Sequence, residues 1–195
     1  MKTAFILASS SPFRQQLLKK IIPEFHHFSP EIDESAKADE KPEQLVRRLA
    51  LEKAQTARNL YGNGLVIGSD QVALHNGDIL GKPHTVAKAE AQLARFSGEK
   101  VTFLTSLALL DIETGKNTVI VEPFEVHFRH LSAEQIRLYV AKEQPLNCAG
   151  SFKSEGLGIC LFEALKGDDP NALVGLPLLR LNQLLLDWGI DPLAL

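Results

Sequence analysis

The chain contains little cysteine, few aromatic residues and no strong excess of charge of either sign. Its two cysteines, Cys148 and Cys160, form neither a Cys-x-x-Cys motif nor a disulfide framework, which argues against a small secreted domain and favours a reducing cytoplasm. We expect both thiols to be buried. The net charge of -3, from 21 basic and 24 acidic residues, argues against a nucleic-acid polymer as partner, because such surfaces carry a basic excess. A small anionic ligand stays compatible, since a few cations in one site need no global excess.

Long apolar runs are also absent, so we expect no membrane span. The apolar run Ala4–Ala8 is too short for the core of a signal peptide. We find no internal repeat, low-complexity tract or flexible linker. With 195 residues and 45% hydrophobic content, the sequence predicts one soluble α/β domain over 1–195, as one body or as two lobes sharing a cleft.

The most informative stretch is Leu65–Val72, Leu-Val-Ile-Gly-Ser-Asp-Gln-Val. A short apolar run flanked by glycine predicts a buried strand, and Asp70 lies where that strand should reach the surface. A carboxylate there is costly unless it holds a metal, pairs with a cation or handles protons. The alternative is an aspartate that caps the next turn.

Near the N-terminus, Ala4–Ala8 predicts a first strand and Ser9-Ser10-Ser11-Pro12 leads into a helix. Ser11 is suited to be the N-cap and Pro12 the first helical residue. Such a turn offers free N–H groups to a phosphate, and Arg14 adds a bidentate donor. The alternative is an ordinary capped turn with Arg14 in solvent.

Charged residues that could join Asp70 occur in three further places. Asp33 belongs to the acidic segment Glu31-Ile32-Asp33-Glu34, which could ligate Mg²⁺ or Mn²⁺ or form a solvated loop. The residues 43–60 predict a helix with Lys53 beside its buried stripe, either reaching a cleft or lying along the surface. Lys82 follows the predicted hairpin at Asn76-Gly77 and could point to the same site.

The remaining pattern predicts a mixed sheet. Runs at 101–110 and 118–128 form a second hairpin, in which Pro123 breaks a strand or marks a bulge or an edge. A glycine-containing loop at 148–158 that could approach a ligand precedes a strand at 159–165, a turn at 166–170 and a helix at about 178–188.

Taken together, these motifs resemble the Maf family of nucleoside triphosphate pyrophosphatases over nearly the whole chain. They are Ala-Ser-Ser-Ser-Pro-Phe-Arg at 8–14, Glu-Ile-Asp-Glu at 31–34, Glu-Lys-Ala at 52–54, Gly-Ser-Asp-Gln-Val at 68–72 and Gly-Lys-Pro at 81–83. Later stretches at 122–132, 149–156 and 173–177 are similar to the branch that acts on 7-methyl-GTP. The resemblance implies an ITPase-like α/β fold with a mixed, strongly twisted sheet flanked by helices, and two lobes around a central cleft.

The resemblance also implies hydrolysis between the α and β phosphates with a divalent metal, Mg²⁺ or Mn²⁺. Asp70 matches the proton acceptor of the family. Ser11, Arg14, Lys53 and Lys82 would bind the triphosphate. Asp33 and Asp70 are the expected metal ligands. The expected partner is a nucleotide, and a homodimer stays open.

Base selection would depend on three residues. The 7-methylguanine ring carries a formal positive charge, which the aromatic face of Phe13 attracts. The carboxylate of Glu155 can accept from the N1 and N2 edge of guanine, and Gln71 can add a polar contact. Two alternatives stay open: a dTTP and UTP pyrophosphatase of the same family, and a nucleotide-binding regulator of septum formation without turnover.

Overall fold

The computed structural model describes residues 4–195, so Met1–Thr3 lie outside the description. Its strands are β1 (Phe5–Ala8), β2 (His26–Phe28), β3 (Leu65–His75), β4 (Asp78–Leu80), β5 (Lys100–Asp111), β6 (Asn117–Phe128) and β7 (Phe162–Lys166). Its α-helices are α1 (Pro12–Leu18), α2 (Pro42–Gln55), α3 (Val86–Phe96), α4 (Ala133–Glu143), α5 (Pro170–Val174) and α6 (Leu178–Asp187). Short 3₁₀ turns cover Thr56–Asn59, Ala149–Ser151, Leu157–Leu161 and Pro192–Ala194.

These strands form one mixed sheet in the order β2-β1-β3-β5-β6-β7, with β4 paired to β3. Strand β1 is parallel to both β2 and β3. Strand β4 runs antiparallel to β3, and β7 antiparallel to β6. The predicted mixed α/β fold, with a sheet flanked by helices, is confirmed.

Local turn and cap signals account for several element boundaries. Ser11 is the N-cap of α1, and its side chain accepts a hydrogen bond from the N–H of Arg14, with Pro12 as the first helical residue. Asn76 and Gly77 have φ values of 52° and 90°, and a type I′ hairpin requires positive values at both positions. Ser132 and Gln135 form the capping box of α4.

The chain divides into two compact units, and the first contains the chain up to Gln71, Thr105–Glu122 and Asp169–Leu195. Alternate residues of β1 enter two separate core clusters, because successive strand side chains point to opposite faces. Phe5 and Leu7 pack in the cluster that includes residues of α1 and α6. Ile6 and Ala8 pack with alanines of α2. Burial on both faces explains why this strand is continuously apolar.

The second unit contains Val72–Leu104 and Pro123–Asp168. Its core includes a chain of aromatic contacts in which Phe152 is central. The ring of Phe152 lies 4.9 Å from that of Phe162, 5.3 Å from that of Phe103 and 5.6 Å from that of Phe128, centroid to centroid, each in an edge-to-face arrangement. Such pairs add to the stability gained from burial alone.

Several predicted bounds were wrong. The strand predicted at 159–165 begins only at Phe162, because a 3₁₀ turn occupies Leu157–Leu161. Helix α5 was not predicted.

Two single-residue expectations also have an outcome. Pro123 lies inside β6 and does not break it; the register between β6 and β7 starts only at Glu125, so Pro123 lies where β6 lacks β7 as neighbour. Cys160 is exposed and Cys148 is half-buried, so the expectation of two buried thiols was wrong. Among residues 4–195, no helix combines the length and apolar character that a bilayer crossing requires.

Candidate active site

Asp70 lies within β3 and is buried, with 7% of its surface exposed. Its Oδ1 accepts a hydrogen bond from Nζ of Lys53 at 2.6 Å. The same ammonium lies 2.8 Å from Oε1 of Glu34, whose side chain is 60% exposed. Because β3 continues to His75, Asp70 does not cap a turn, and the prediction that it lies where the strand reaches the surface was wrong. One buried lysine therefore joins a buried and an exposed carboxylate.

A glycine explains how Lys53 reaches Asp70. Gly68 lies on β3 directly opposite α2, where an added Cβ would be 2.2 Å from the carbonyl oxygen of Ala50 and 3.1 Å from Cβ of Ala54. Glycine on the strand and alanines on the helix let the two backbones approach closely. Lys53 is on the same part of α2, so this close approach brings its ammonium to Asp70.

The backbone of Asp70 is also fixed. Its N–H donates a hydrogen bond to Oγ of Ser106 on β5 at 3.1 Å. The Ser106 hydroxyl is fully buried and lies 2.7 Å from the carbonyl oxygen of Val46 on α2, to which it can donate. Ser106 thus links β3, β5 and α2 at the level of the carboxylate.

The protonation of Asp70 reflects burial opposed by nearby cations. Burial raises the pKa of Asp70, the charges of Lys53 and Arg14 lower it, and the charge of Glu34 raises it; the net shift of the pKa is upward. A carboxyl group with a raised pKa is a stronger base than an ordinary aspartate. Perturbed groups of this kind are typical of catalytic sites.

Arg14, in the first turn of α1, is coupled to the same carboxylates. Burial lowers the pKa of Arg14, and the charges of Asp70 and Glu34 raise it. Its Nε donates to the carbonyl oxygen of Gly175 at 2.8 Å. A guanidinium stays protonated under these conditions, so Arg14 is a fixed cation. The structure thus brings Arg14, Lys53 and Asp70 into one electrostatic cluster.

Gln71 makes its hydrogen bonds within the fold. Its Nε2 donates to Oγ1 of Thr105 at 2.9 Å and to the carbonyl oxygens of Ala172 at 2.9 Å and Leu173 at 3.2 Å. Both amide hydrogens are therefore committed to α5 and β5. A contact of Gln71 with a substrate, as predicted, would have to use its Oε1.

The described part of the protein offers few side-chain ligands for the divalent metal that the sequence predicts. Among residues 4–195, no group of three or more His, Cys, Asp or Glu side chains could hold a metal ion. Mg²⁺, however, is often bound by one or two carboxylates together with substrate phosphates and water. The structure brings two carboxylates, those of Asp70 and Glu34, to the ammonium of Lys53. The carboxylate of Asp33 accepts from the N–H of Ser35 at 2.9 Å, and its role as a ligand stays a prediction.

Three other predicted site residues have exposed side chains. Phe13 is exposed on the first turn of α1, and Ser11 before it is the N-cap. Lys82 and Glu155 are exposed residues of the second unit. Their parts in substrate binding stay predictions.

The loop that carries Glu155 is held against α4. The N–H of Lys153 donates to the hydroxyl of Tyr139 at 3.0 Å, and Nζ of Lys153 donates to the carbonyl oxygen of Glu143 at 2.7 Å. A Cβ at Gly158 would lie 2.2 Å from the carbonyl oxygen of Lys153, so the tight turn requires glycine there. Glu155 is thus an exposed carboxylate on an anchored loop.

Sequence reasoning did not identify two features of this site. Glu34, not Asp33, reaches Lys53, although both belong to the predicted acidic segment. The carbonyl oxygens of Ala172 and Gly175 accept from Gln71, Arg14 and Ser69, and backbone acceptors carry no side-chain signature. The only sequence signal for the second feature was the Leu-Val-Gly-Leu-Pro stretch at 173–177.

The solved structures that the chain matches include Ham1 proteins. The chain is 15% identical to the Ham1 protein of Staphylococcus aureus, with a TM-score of 0.48 over 80% of this chain and 90% of that chain. It is 15% identical to a Ham1 protein from Coxiella burnetii, with a TM-score of 0.46 over 78% and 88%.

Curated relatives are far more similar in sequence. A 7-methyl-GTP pyrophosphatase of Pseudoalteromonas translucida is 57% identical over 100% of this chain and 96% of its own length. Proteins of the same name from Colwellia psychrerythraea and Pseudomonas aeruginosa are each 54% identical, over 100% and 95% of this chain and 96% and 97% of their own lengths. Residues 4–188 match the family described as Maf-like protein. The chain belongs to the Maf family.

Proposed function

We propose that this protein is a nucleoside triphosphate pyrophosphatase that hydrolyses 7-methyl-GTP to 7-methyl-GMP and pyrophosphate. Relatives that carry the name 7-methyl-GTP pyrophosphatase are 54% to 57% identical to it over nearly their whole length. The observation that carries the proposal is the buried carboxylate of Asp70, 2.6 Å from Lys53 and coupled to Arg14. A proton acceptor beside cations is what attack by water on a polyphosphate requires.

In the proposed reaction Asp70 takes a proton from a water molecule whose oxygen attacks the α phosphorus. The bond between this phosphorus and the oxygen that bridges to the β phosphorus breaks, and that oxygen leaves with pyrophosphate. The raised pKa of Asp70 favours this role, because a base with a pKa nearer neutral pH accepts the proton more readily.

The cations would bind the triphosphate and stabilise charge on the leaving pyrophosphate. Arg14 offers a planar donor fork, and Lys53 a point charge already placed between two carboxylates. Lys82 and the hydroxyl of Ser11 are proposed as further phosphate contacts. Negative charge builds up on the departing oxygens in the transition state, so cations placed there stabilise the transition state more than the bound substrate. This difference raises the rate.

A divalent cation, Mg²⁺ or Mn²⁺, is proposed to enter with the triphosphate. Asp70 and Glu34 are the carboxylates best suited to hold it, with Asp33 as the predicted further ligand. When bound, such an ion lowers the pKa of coordinated water and neutralises phosphate charge. Full loss of activity with a chelator, and recovery with excess Mn²⁺, would support this part of the proposal; hydrolysis at an undiminished rate in chelator would contradict it.

Selection of the base is proposed to depend on Phe13 and Glu155. Stacking on an aromatic ring favours a cationic base by about 0.5 to 2 kcal/mol. A carboxylate accepts the N1 and N2 hydrogens of a guanine edge, which uracil and thymine do not present in the same pattern. Both side chains are exposed and therefore accessible to a ligand. The free cysteines Cys148 and Cys160 accord with a reducing cytoplasm as the site of the reaction.

The experiment that tests the substrate is pyrophosphate release from 7-methyl-GTP, GTP, UTP and dTTP with Mn²⁺ or Mg²⁺. We expect 7-methyl-GTP to be hydrolysed far faster than the other three. Equal rates on all four would contradict the specificity, and a preference for UTP and dTTP would instead support the alternative within the family.

The second alternative is a regulator that binds nucleotide without turnover. Asp70→Asn separates it from the enzyme, because a binding module needs no base. The variant should lose hydrolysis while thermal shift with 7-methyl-GTP and Mn²⁺ still reports binding. Wild-type protein that binds but never releases pyrophosphate would favour the regulator; full activity of Asp70→Asn would overturn the mechanism.

A further inference from the structure

We propose that Asp169 is a positioning residue for Arg14 and acts through the carbonyl group of Gly175. The inference rests on the proposed function, since it assumes that Arg14 binds the triphosphate. Asp169, Gly175 and Arg14 all belong to the first compact unit. Asp169 itself is fully buried, so it would not touch the substrate.

The carboxylate of Asp169 accepts hydrogen bonds from both ends of the segment that runs from Asn171 to Leu179. Its Oδ1 accepts hydrogen bonds from the backbone N–H of Asn171 at 2.9 Å and from Nδ2 of the same residue at 2.8 Å. Its Oδ2 accepts from the N–H of Leu179, at the start of α6, at 2.7 Å. Hydrogen bonds to a carboxylate are strong, so one buried group fixes where this segment starts and ends.

Gly175 lies inside the segment that Asp169 closes. Its φ is +121°, which favours glycine, and its N–H donates to the carbonyl oxygen of Asn171 at 3.1 Å. Its carbonyl oxygen accepts from Nε of Arg14 at 2.8 Å and from Oγ of Ser69 at 2.9 Å. One backbone acceptor therefore ties the phosphate-binding arginine to the residue that precedes Asp70.

Held through Nε, the guanidinium of Arg14 keeps a fixed plane and a fixed direction of its terminal nitrogens. A shift of the Gly175 carbonyl would turn that plane and leave the charge in place. The expected consequence is weaker phosphate binding with a base that still functions. Misplacement of a positioning group by about 1 Å costs up to roughly a hundredfold in rate.

The test is Asp169→Asn in the full chain. The amide keeps the size of the side chain, but its NH₂ group cannot accept from the N–H of Leu179. We expect kcat/KM for 7-methyl-GTP to fall by about tenfold, mainly through a higher KM. The matched control is Asp191→Asn. Asp191 also precedes a proline and accepts from the N–H two residues on, that of Leu193, at 2.9 Å. The Asp191→Asn variant should leave kcat and KM unchanged.

A double-mutant cycle separates positioning from general damage. Lysine at position 14 keeps the positive charge but has no Nε to bond the Gly175 carbonyl. In the Arg14→Lys background, Asp169→Asn should therefore change kcat/KM by less than about twofold, because the effects of coupled residues do not add. Its effect on Tm should be the same in both backgrounds.

An equal loss of kcat/KM in both backgrounds would overturn the inference, and so would wild-type KM in Asp169→Asn. If Asp169→Asn does not fold, the same double-mutant cycle is made with Asn171→Ala. This variant removes one hydrogen-bond donor to Asp169, and we expect a smaller loss of kcat/KM from it. Failure of the proposed function is distinguishable, since wild-type protein would then release no pyrophosphate from 7-methyl-GTP.

Discussion

Gly68 on β3 lies so close to Ala50 on α2 that a methyl group at position 68 would be 2.2 Å from the Ala50 carbonyl oxygen. Atoms do not approach to that distance without a bond, so any side chain at position 68 would push α2 away from the strand. Lys53 follows Ala50 by less than one helical turn, and Asp70 follows Gly68 by two residues. The short contact between Lys53 and Asp70 therefore depends on the absence of a side chain at Gly68.

Substitution of this glycine should separate the catalytic pair. We expect Gly68→Ala to lower the free energy of unfolding by about 1 to 3 kcal/mol through overpacking. Hydrolysis should fall by at least about tenfold, because small displacements of positioned groups are costly. Denaturant unfolding and pyrophosphate release measure the two effects. Gly62→Ala is the control, since nothing lies within 4 Å of its added Cβ; wild-type activity in Gly68→Ala would contradict the argument.

The pair also predicts a dependence on pH. Asp70 acts as a base only when ionised, so activity should decline as the pH falls through its pKa. Burial raises that pKa and Lys53 lowers it, so Lys53→Met should move the acid limb of the kcat/KM profile to higher pH. We also expect kcat to fall about a hundredfold, because the variant lacks the positive charge that would stabilise the leaving pyrophosphate.

The control for this profile is Lys100→Met, which removes a lysine 2.5 Å from a different carboxylate, that of Glu125. Its acid limb should coincide with that of the wild type. An unshifted acid limb in Lys53→Met would mean that a group other than Asp70 accepts the proton.

Features set by a few adjacent residues were predictable from the sequence. The Ser11-Pro12 cap and the Asn76-Gly77 hairpin each depend on local backbone chemistry, and both were confirmed. The helical spacing of α2 placed Lys53 beside the buried stripe. The strand pattern placed Asp70 where β3 reaches the surface, whereas in the structure Asp70 is buried within the strand. Their pairing required both elements to pack together, which the small residues Gly68 and Ala50 permit.

Other features could not be predicted because no residue type or spacing in the sequence distinguishes them. The Gly175 carbonyl is a backbone group, and its importance follows from the fold that brings Arg14 and Ser69 to it. Glu34 and Asp33 are adjacent carboxylates of similar chemistry, and only the path of the loop decides which reaches Lys53. The turn at Leu157–Leu161 resembles a strand in composition, since its apolar residues carry no clear period.

Arg48 on α2 holds the loop that carries Glu34, and this contact should be sensitive to acid. Its guanidinium donates to both carboxylate oxygens of Glu40, at 2.7 and 2.8 Å, and to the carbonyl oxygen of Ser35 at 2.9 Å. The hydrogen bonds from Arg48, and to a lesser extent that from the N–H of Lys37, lower the pKa of Glu40 from 4.5 to about 2. A group with a lowered pKa stabilises the fold above its unfolded pKa and loses that contribution as the pH falls to its folded value.

Glu40→Gln should therefore have a lower Tm than the wild type near neutral pH. The difference should shrink as the pH falls from 4.5 to about 2, where the wild-type carboxylate becomes protonated. Tm measured against pH for both proteins tests this. Glu43→Gln is the control, because the salt bridge of Glu43 with Arg47 is exposed and should contribute little. A constant difference across this range would contradict the assignment.

Glu155 should distinguish purine from pyrimidine substrates. Glu155→Gln replaces an acceptor-only group by one that is part donor, so the N1 and N2 hydrogens of 7-methylguanine lose a charge-assisted partner. We expect KM for 7-methyl-GTP to rise about tenfold while that for UTP stays the same. Glu163→Gln, at another exposed position of the second unit, should change neither value. Equal effects on both nucleotides would remove Glu155 from base selection.

Phe13 should distinguish the methylated base from the unmethylated one. Both bases stack on an aromatic ring, but only 7-methylguanine carries a positive charge that the face of the ring attracts. Phe13→Leu keeps an apolar side chain and removes the ring, so the ratio of kcat/KM for 7-methyl-GTP to that for GTP should fall between about twofold and thirtyfold. Phe13→Tyr keeps the ring face and should preserve the ratio. If Phe13→Leu also preserves it, the methyl group is recognised elsewhere.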